Sequence, residues 1–261
     1  MCGIFGFALI KPVPMNRVFK VLARLEVHQY PQEPRPVGGY GAGVAILDHD
    51  EIRFEKVGKV DASPAKRLSS IMTIDNANVL VGHVRMPSLR FMEKAQFWET
   101  AQPYVAKCHS DLTVVSVHNG YVTNYKRLRR KLGKEHVFDS DKIELVDSEV
   151  IPHCFEELFK KKKDATKALD ALYSDLGGSN AIAMLQVAKE EKSLHLIHKG
   201  KTRGLFVWQN RQDEILFCSR KEPIIQEFSS ILIEHEFEEK IAIPYHKDAN
   251  LKMSFPLNKI T

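Results

Sequence analysis

The chain has 261 residues, 44% of them hydrophobic and 27% charged, an ordinary globular balance that excludes a disordered polypeptide. Thirty-eight Lys and Arg against 33 Asp and Glu leave a net charge of +5, which favours solubility and is too small to mark a nucleic-acid binder. Its apolar runs, such as Ile231–Ile233, fall far short of the roughly 18–20 residues that span a bilayer.

In chain order, Gly3–Ile10 is a short, apolar, glycine-punctuated run that predicts a buried strand, ended by Pro12 and Pro14. Val18, Leu22 and Leu25 recur at helical spacing, so a helix is expected over 15–28. The Pro- and Gly-rich segment 31–39 reads as a loop. Strands follow at 43–47 and 52–57 around a turn at 48–51, then at 79–84 and 112–117. Ser63-Pro64 opens a helix running to about Met72, and Tyr125–Leu132 is a short basic helix stopped by Gly133. Asp147 stands where an N-cap would precede a helix over 148–159, and Asp164 caps another over 165–176. Strands are then expected at 181–187, 194–198, 205–208, 215–218, 231–233 and 241–243. Grouped helices between runs of strands predict an α+β fold with mostly antiparallel sheets, and no Gly/Ser-rich joint divides it, so one domain over 1–261 is expected.

Four cysteines, Cys2, Cys108, Cys154 and Cys218, form no disulfide framework or CxxC pair, and no basic, apolar leader follows Met1. A cytoplasmic setting with reduced thiols is expected. Cys108, Cys154 and Cys218 read as ordinary buried thiols. Cys2 is different, because removal of Met1 would put a free α-amine on it. That amine, with a pKa of about 7.7–8.0, suits a thiol of about 8.5 as its own base. Nucleophile and base would then share one residue. The plain alternative is a small buried residue opening a strand.

Met1-Cys2-Gly3-Ile4-Phe5-Gly6 resembles the start of class II, N-terminal nucleophile, glutamine amidotransferases, and three further segments resemble that family in its order. They are Gly82-His83-Val84-Arg85-Met86-Pro87-Ser88, Val117-His118-Asn119-Gly120 with Asn124, and Val146-Asp147-Ser148-Glu149-Val150. Thr100-Ala101-Gln102-Pro103 and Phe217-Cys218-Ser219-Arg220 are weaker echoes, so the likeness extends over nearly the whole chain. It implies the four-layer αββα sandwich of N-terminal nucleophile hydrolases. The implied reaction is hydrolysis of the glutamine side-chain amide through a Cys2 thioester, giving glutamate and ammonia.

The residue types suit that reaction. Arg85 can hold the substrate carboxylate through a bidentate fork. The resemblance pairs Asp147 with the substrate ammonium, although an Asp there would also cap a helix. Asn119 and the Gly120 N–H form the candidate oxyanion hole, with a hairpin turn as the alternative reading of Asn-Gly. Ser88 is expected to place a hydroxyl on the substrate or on the loop beside Arg85. His83 and His118 are expected to orient their segments. The other nine histidines, His109, His136 and His153 among them, show no metal spacing and read as structural or exposed. No metal or organic cofactor is expected.

Some positions depart from the family pattern. Segment 37–43 lacks the usual Arg and Asp, Gln102 stands where a His is common, and Met86-Pro87 replaces an aromatic-small pair. The length suits a glutaminase domain without a synthase domain or P-loop, so an ammonia-accepting synthase subunit is the expected partner. Neither nucleic acid nor membrane is expected. The alternatives are a γ-glutamyl peptide or small-amide hydrolase on the same scaffold, and a catalytically silent regulatory or binding module.

Overall fold

The computed structural model describes residues 2–109, 111–189 and 191–260. The first half contains β1 (Gly3–Pro14), α1 (Met15–Val27), β2 (Ala42–Asp48), β3 (Glu51–Val57), α2 (Pro64–Ile71), β4 (Asn76–Val84), β5 (Tyr104–His109) and β6 (Leu112–Gly120). Then come α3 (Tyr125–Lys131), α4 (Val150–Lys162), α5 (Ala165–Asp175), β7 (Asn180–Ala188) and β8 (Lys192–Lys201). The chain continues through β9 (Leu205–Gln209), β10 (Ile215–Cys218), α6 (Glu222–Glu234), β11 (Glu238–Ile243) and β12 (Asp248–Pro256).

Side chains of a strand alternate between faces, and β1 shows what this does. Ile4 and Ala8 join a buried cluster with Val79 and Val81 of β4 and with Val115, Val117, Ala181 and Ala183 of a second sheet. Phe5, Phe7 and Leu9 face the other way, into a cluster with Leu22 of α1 and Phe228 of α6. Seven strands in the order β11-β9-β10-β1-β4-β2-β3 make one sheet, and β12-β8-β7-β6-β5 make the other. Helices α3, α4 and α5 cover the outer face of the second sheet through Leu128, Ile151, Phe155 and Leu169 packed on Val114, Ile182 and Met184. Two antiparallel sheets face each other across an apolar core with a helix layer on each outside, the expected αββα sandwich. Among the described residues no helix is long and apolar enough to cross a membrane.

Local chemistry explains most boundaries. The Ser63 hydroxyl accepts the Lys66 N–H at 3.2 Å with Pro64 in the first turn, and Asp164 Oδ1 accepts the Lys167 N–H at 2.9 Å. Three expectations fail. Ile231–Ile233 is the last turn of α6, because Ile224, Phe228 and Ile231 form a helical stripe against the first sheet. Pro12 lies inside β1, which continues past a register shift between Ala8 and Val13 and ends at Pro14. Asp147 caps nothing; residues 147–149 form a 3₁₀ turn, α4 begins at Val150, and Pro152 falls in its first turn, where its missing N–H costs least. As expected against the alternative reading, Asn119-Gly120 is no hairpin turn but ends a strand that pairs with β7 as far as Gly120↔Asn180. Strands β5 and β12 have no counterpart in the sequence reading.

Gly6 sits where β1 is pressed between neighbours. A Cβ there would lie 2.3 Å from the Leu80 carbonyl oxygen and 2.5 Å from Phe217 Cζ. Overpacking of this kind costs about 3 kcal/mol, and a domain of this size loses roughly 2–4 °C of Tm per kcal/mol. Gly6→Ala is expected to lower Tm by about 6–12 °C in a calorimetric scan; an unchanged Tm would contradict the packing described.

Candidate active site

The pairing of β1 with β4 brings the first site residues together. Gly3 is opposite Val84, so Cys2 meets the chain just beyond β4. There the Met86 N–H donates to Cys2 Sγ at 3.4 Å, and the thiol donates to the Met86 carbonyl at 3.6 Å. The other side of β1 is pinned by Ser219, whose hydroxyl accepts the Ile4 N–H at 3.0 Å while its own N–H donates to the Ile4 carbonyl at 2.8 Å. Cys2 is partly exposed, unlike residues 3–9 behind it, which are buried.

Arg85 follows β4 directly and is 5% exposed. One guanidinium N–H donates to Thr100 Oγ1 at 2.5 Å, and among the described residues the side chain makes no other hydrogen bond. Burial lowers its pKa, opposed by Tyr104, Cys2 and Asp147. Its main chain is locked as well: the Arg85 N–H donates to the Gly41 carbonyl at 2.8 Å, and the Tyr40 N–H to the Arg85 carbonyl at 3.0 Å. Gly41 lies 3.0 Å, measured from a Cβ placed on it, from the Val57 carbonyl oxygen, which favours glycine there. The unusual 37–43 segment is therefore fastened to the Arg85 backbone. Upstream, the loop is held by buried Glu33, whose carboxylate meets Arg220 at 2.5 Å and Arg203 at 3.5 Å.

Asp147 approaches from the second sheet's helix layer. Its Oδ2 accepts the Val122 N–H at 2.8 Å, tying the turn before α4 to the chain beyond Gly120. Burial pushes its pKa up to about 6, the Val122 N–H opposes the rise, and the charge of Cys2 adds to it. Arg85, Asp147 and Cys2 are thus close enough to feel one another's charge. Asn119 is fully buried at the end of β6, and neither atom of its side-chain amide has a hydrogen-bond partner among the described residues. Gly120 cannot be replaced without movement, since a Cβ would lie 2.1 Å from the Ser179 carbonyl and 2.7 Å from His118 Nε2.

Behind these groups stands a buried polar layer that sequence reasoning missed. Gln102 clamps the main chain of His118: its Oε1 accepts the His118 N–H at 2.6 Å and its Nε2 donates to the His118 carbonyl at 3.1 Å. Asn180 Nδ2 donates to the Gly177 and Gly178 carbonyls, which leaves Oδ1 to accept from His118 Nε2 at 3.0 Å. The other ring nitrogen, Nδ1, then accepts the Ser148 hydroxyl at 2.8 Å. Burial holds His118 neutral by lowering its pKa to about 3, and His83 is driven down to about 3 by burial and Arg85. Glu149 accepts the Asp139 N–H at 2.6 Å and the Ser140 N–H at 2.9 Å, while burial pushes its pKa up to about 7. Each of Asp147, Ser148 and Glu149 therefore holds a different neighbour. The weaker echoes acquire roles too: Thr100 on Arg85, Gln102 on His118, Ser219 on Ile4.

Ser88 is exposed, at the start of the 3₁₀ turn Leu89–Phe91, and its hydroxyl has no hydrogen bond among the described residues. The reading of the remaining histidines as scattered fails for His109, His136 and His153, which converge with Cys108, Glu156 and Glu157. Cys108 is only partly buried, whereas Cys154 and Cys218 are buried and their thiol pKa values are pushed up to about 12.

The family profile described as a glutamine amidotransferase domain matches residues 91–226, more than half of the chain. The glutamine–fructose-6-phosphate aminotransferase of Sulfolobus acidocaldarius is 32% identical over 203 residues, 74% of this chain and 29% of that protein. That of Helicobacter pylori is 27% identical over 258 residues, 96% of this chain and 38% of that protein. The chain thus spans about 30% of the length of the first of these relatives. In structure it is similar to the glutamine phosphoribosylpyrophosphate amidotransferase of B. subtilis, with a TM-score of 0.64 at 16% identity over 98% of this chain and 49% of that one. A predicted glutamine amidotransferase of Pseudomonas aeruginosa aligns over 98% of both chains, with a TM-score of 0.52 at 10% identity. Family match, αββα layers and an N-terminal cysteine at the head of β1 agree, and the chain belongs to the class II, N-terminal nucleophile, glutamine amidotransferases.

Proposed function

We propose that residues 1–261 form a single glutaminase domain that hydrolyses the side-chain amide of glutamine and passes the ammonia to a synthase. The observation that supports this reading is a buried guanidinium, Arg85, and a buried carboxylate, Asp147, each near enough to Cys2 to feel its charge. Free glutamine is a zwitterion with an amide at its far end. Arg85 offers unused N–H donors to its carboxylate, and Asp147 offers a negative charge to its ammonium. Removal of Met1 leaves the Cys2 amine to take the thiol proton. The thiolate then attacks the amide carbon, and the tetrahedral oxyanion takes hydrogen bonds from Asn119 Nδ2 and the Gly120 N–H. One such donor contributes about 2.7–4 kcal/mol of barrier lowering. The amine returns its proton to the departing ammonia, and water hydrolyses the γ-glutamyl thioester through a second oxyanion. Ser88, exposed beside Met86, supplies a hydroxyl to the closed complex. A cytoplasmic setting keeps the thiol reduced.

Purified protein should release ammonia from glutamine, and Cys2→Ala should lower the rate at least ~10³-fold, as loss of a nucleophile does elsewhere. Equal release by both would refute the reading. Faster turnover of γ-glutamyl dipeptides than of glutamine would favour the small-amide hydrolase instead. Intact mass of the cell-made protein should lack Met1; a retained Met1 puts the amine on the wrong residue.

The Asp147 carboxyl gives a pH signature. Only the ionised form binds an ammonium, so kcat/KM for glutamine should fall about tenfold per pH unit below pH about 6. Between the ordinary carboxylate pKa and about 6, folded Asp147 keeps a proton that the unfolded chain has released, so its contribution to stability shrinks as pH rises through that window. Asp147→Asn should therefore abolish the acid limb and lose glutamine affinity, while raising unfolding free energy at pH 8 by about 1–3 kcal/mol. A variant both less active and less stable would show that Asp147 serves the fold.

A further inference from the structure

We propose that Cys108, His136, His153 and Glu156 form a closed tetrahedral site for a zinc ion, separate from the glutaminase centre. His153 Nδ1 lies 3.5 Å from Cys108 Sγ and 3.2 Å from His136 Nδ1. Glu156 Oε2 lies 3.5 Å from His136 Nδ1 and 4.0 Å from His153 Nδ1. All four donor atoms fall within 4.8 Å of one another. Zinc–sulfur and zinc–nitrogen distances of about 2.3 and 2.0–2.1 Å place tetrahedral donors about 3.3–3.6 Å apart, so the cluster needs only small adjustments around an ion.

The bonding around the donors points inward. Glu156 is fully buried, and its Oε1 is fixed by the N–H groups of Cys108 at 2.6 Å and His109 at 2.9 Å. Its Oε2 is buried, faces the cluster and has no hydrogen-bond partner among the described residues. A buried carboxylate oxygen without a partner is costly, and a cation there compensates it. The facing Nδ1 atoms of His136 and His153 leave room for one proton at most between them. On the far side of His136, Nε2 lies 3.5 Å from Glu157 Oε2, and Glu157 is held in turn by His109 at 3.4 Å and Lys161 at 2.9 Å. A carboxylate behind a ligating imidazole is the usual device for fixing its tautomer and orientation.

One sulfur, two imidazoles and one carboxylate suit zinc, whereas calcium and magnesium take oxygen sets. Four protein donors leave no open position, which marks a structural ion. It would join the end of β5, the loop after α3 and the second turn of α4, the helix that begins just past Asp147–Glu149.

The test uses the untagged full chain purified without chelator. Elemental analysis should find about one zinc per chain. Exchange with cobalt(II) should give intense visible bands and a thiolate-to-cobalt charge-transfer band, both also present in Cys2→Ala, so the outcome is independent of the nucleophile. Cys108→Ala and His153→Gln should each retain under one-tenth of the wild-type metal and lose the charge-transfer or visible bands. Glu157→Gln should keep the stoichiometry while binding zinc about 10–100-fold more weakly. Wild-type protein that holds no zinc and gives only a weak octahedral cobalt spectrum would overturn the proposal. So would wild-type zinc content in Cys108→Ala. Should both ligand variants fail to fold, the cobalt spectrum of the Cys2→Ala chain decides alone.

Discussion

The pairing of Gly3 with Val84 fixes how the N-terminus of β1 meets the end of β4, and the site follows from that register. Because side chains alternate along a strand, a slip of one residue would turn Ile4 and Ala8 out of the inter-sheet core and carry Cys2 away from Met86. Close packing guards the register: the glycines at 3 and 6 leave space that Val37, Leu80 and Phe217 already fill. Cys2 is thus positioned by the buried first half of β1 while remaining partly open to solvent itself.

A second requirement is to keep charged and polar groups buried without leaving them unpaired. Arg85 and Asp147 would be expensive in an apolar core, and each is supported by neutral partners, Thr100 for the one and the Val122 N–H for the other. Gln102, His118, Ser148 and Asn180 form a connected network that fixes the strand end carrying Asn119. The Asn119 amide, like both ring nitrogens of His83, is buried and unbonded among the described residues. Native structures seldom leave such groups without partners, and the oxyanion of the proposed reaction would give the Asn119 amide one.

Much of this was legible in the sequence, and the failures have physical causes. Val18, Leu22 and Leu25 gave α1 because the helix buries a single stripe, and Ser63-Pro64 gave the start of α2 through its cap. The apolar run Ile231–Ile233 suggested a strand, but the stripe that includes Ile224 and Phe228 reaches back beyond it. Asp147 looked like a helix cap because an Asp before a helical run favours that role, but its carboxylate accepts the Val122 N–H and α4 begins only at Val150. Of the residues drawn from the four segments, Cys2, Arg85 and Asp147 lie within reach of one another's charge, while Ser88 is exposed and unbonded among the described residues. Their supports were hidden because each contact joins elements distant in sequence, as Gln102 with His118 and Ser219 with Ile4. The cluster of Cys108, His136 and His153 was invisible for the same reason, although Cys108-His109 and the i,i+3 pair His153 and Glu156 were its trace in the sequence.

The proposed hydrolysis requires covalent chemistry at Cys2. The most direct measurement is rapid acid quenching of the processed protein during turnover of glutamine, followed by mass spectrometry of its peptides. A γ-glutamyl adduct on the Cys2 peptide, absent without glutamine and absent in Cys2→Ala, is the result the account predicts. Glutamine turnover with no adduct on Cys2, or with the adduct on Cys108, would contradict it.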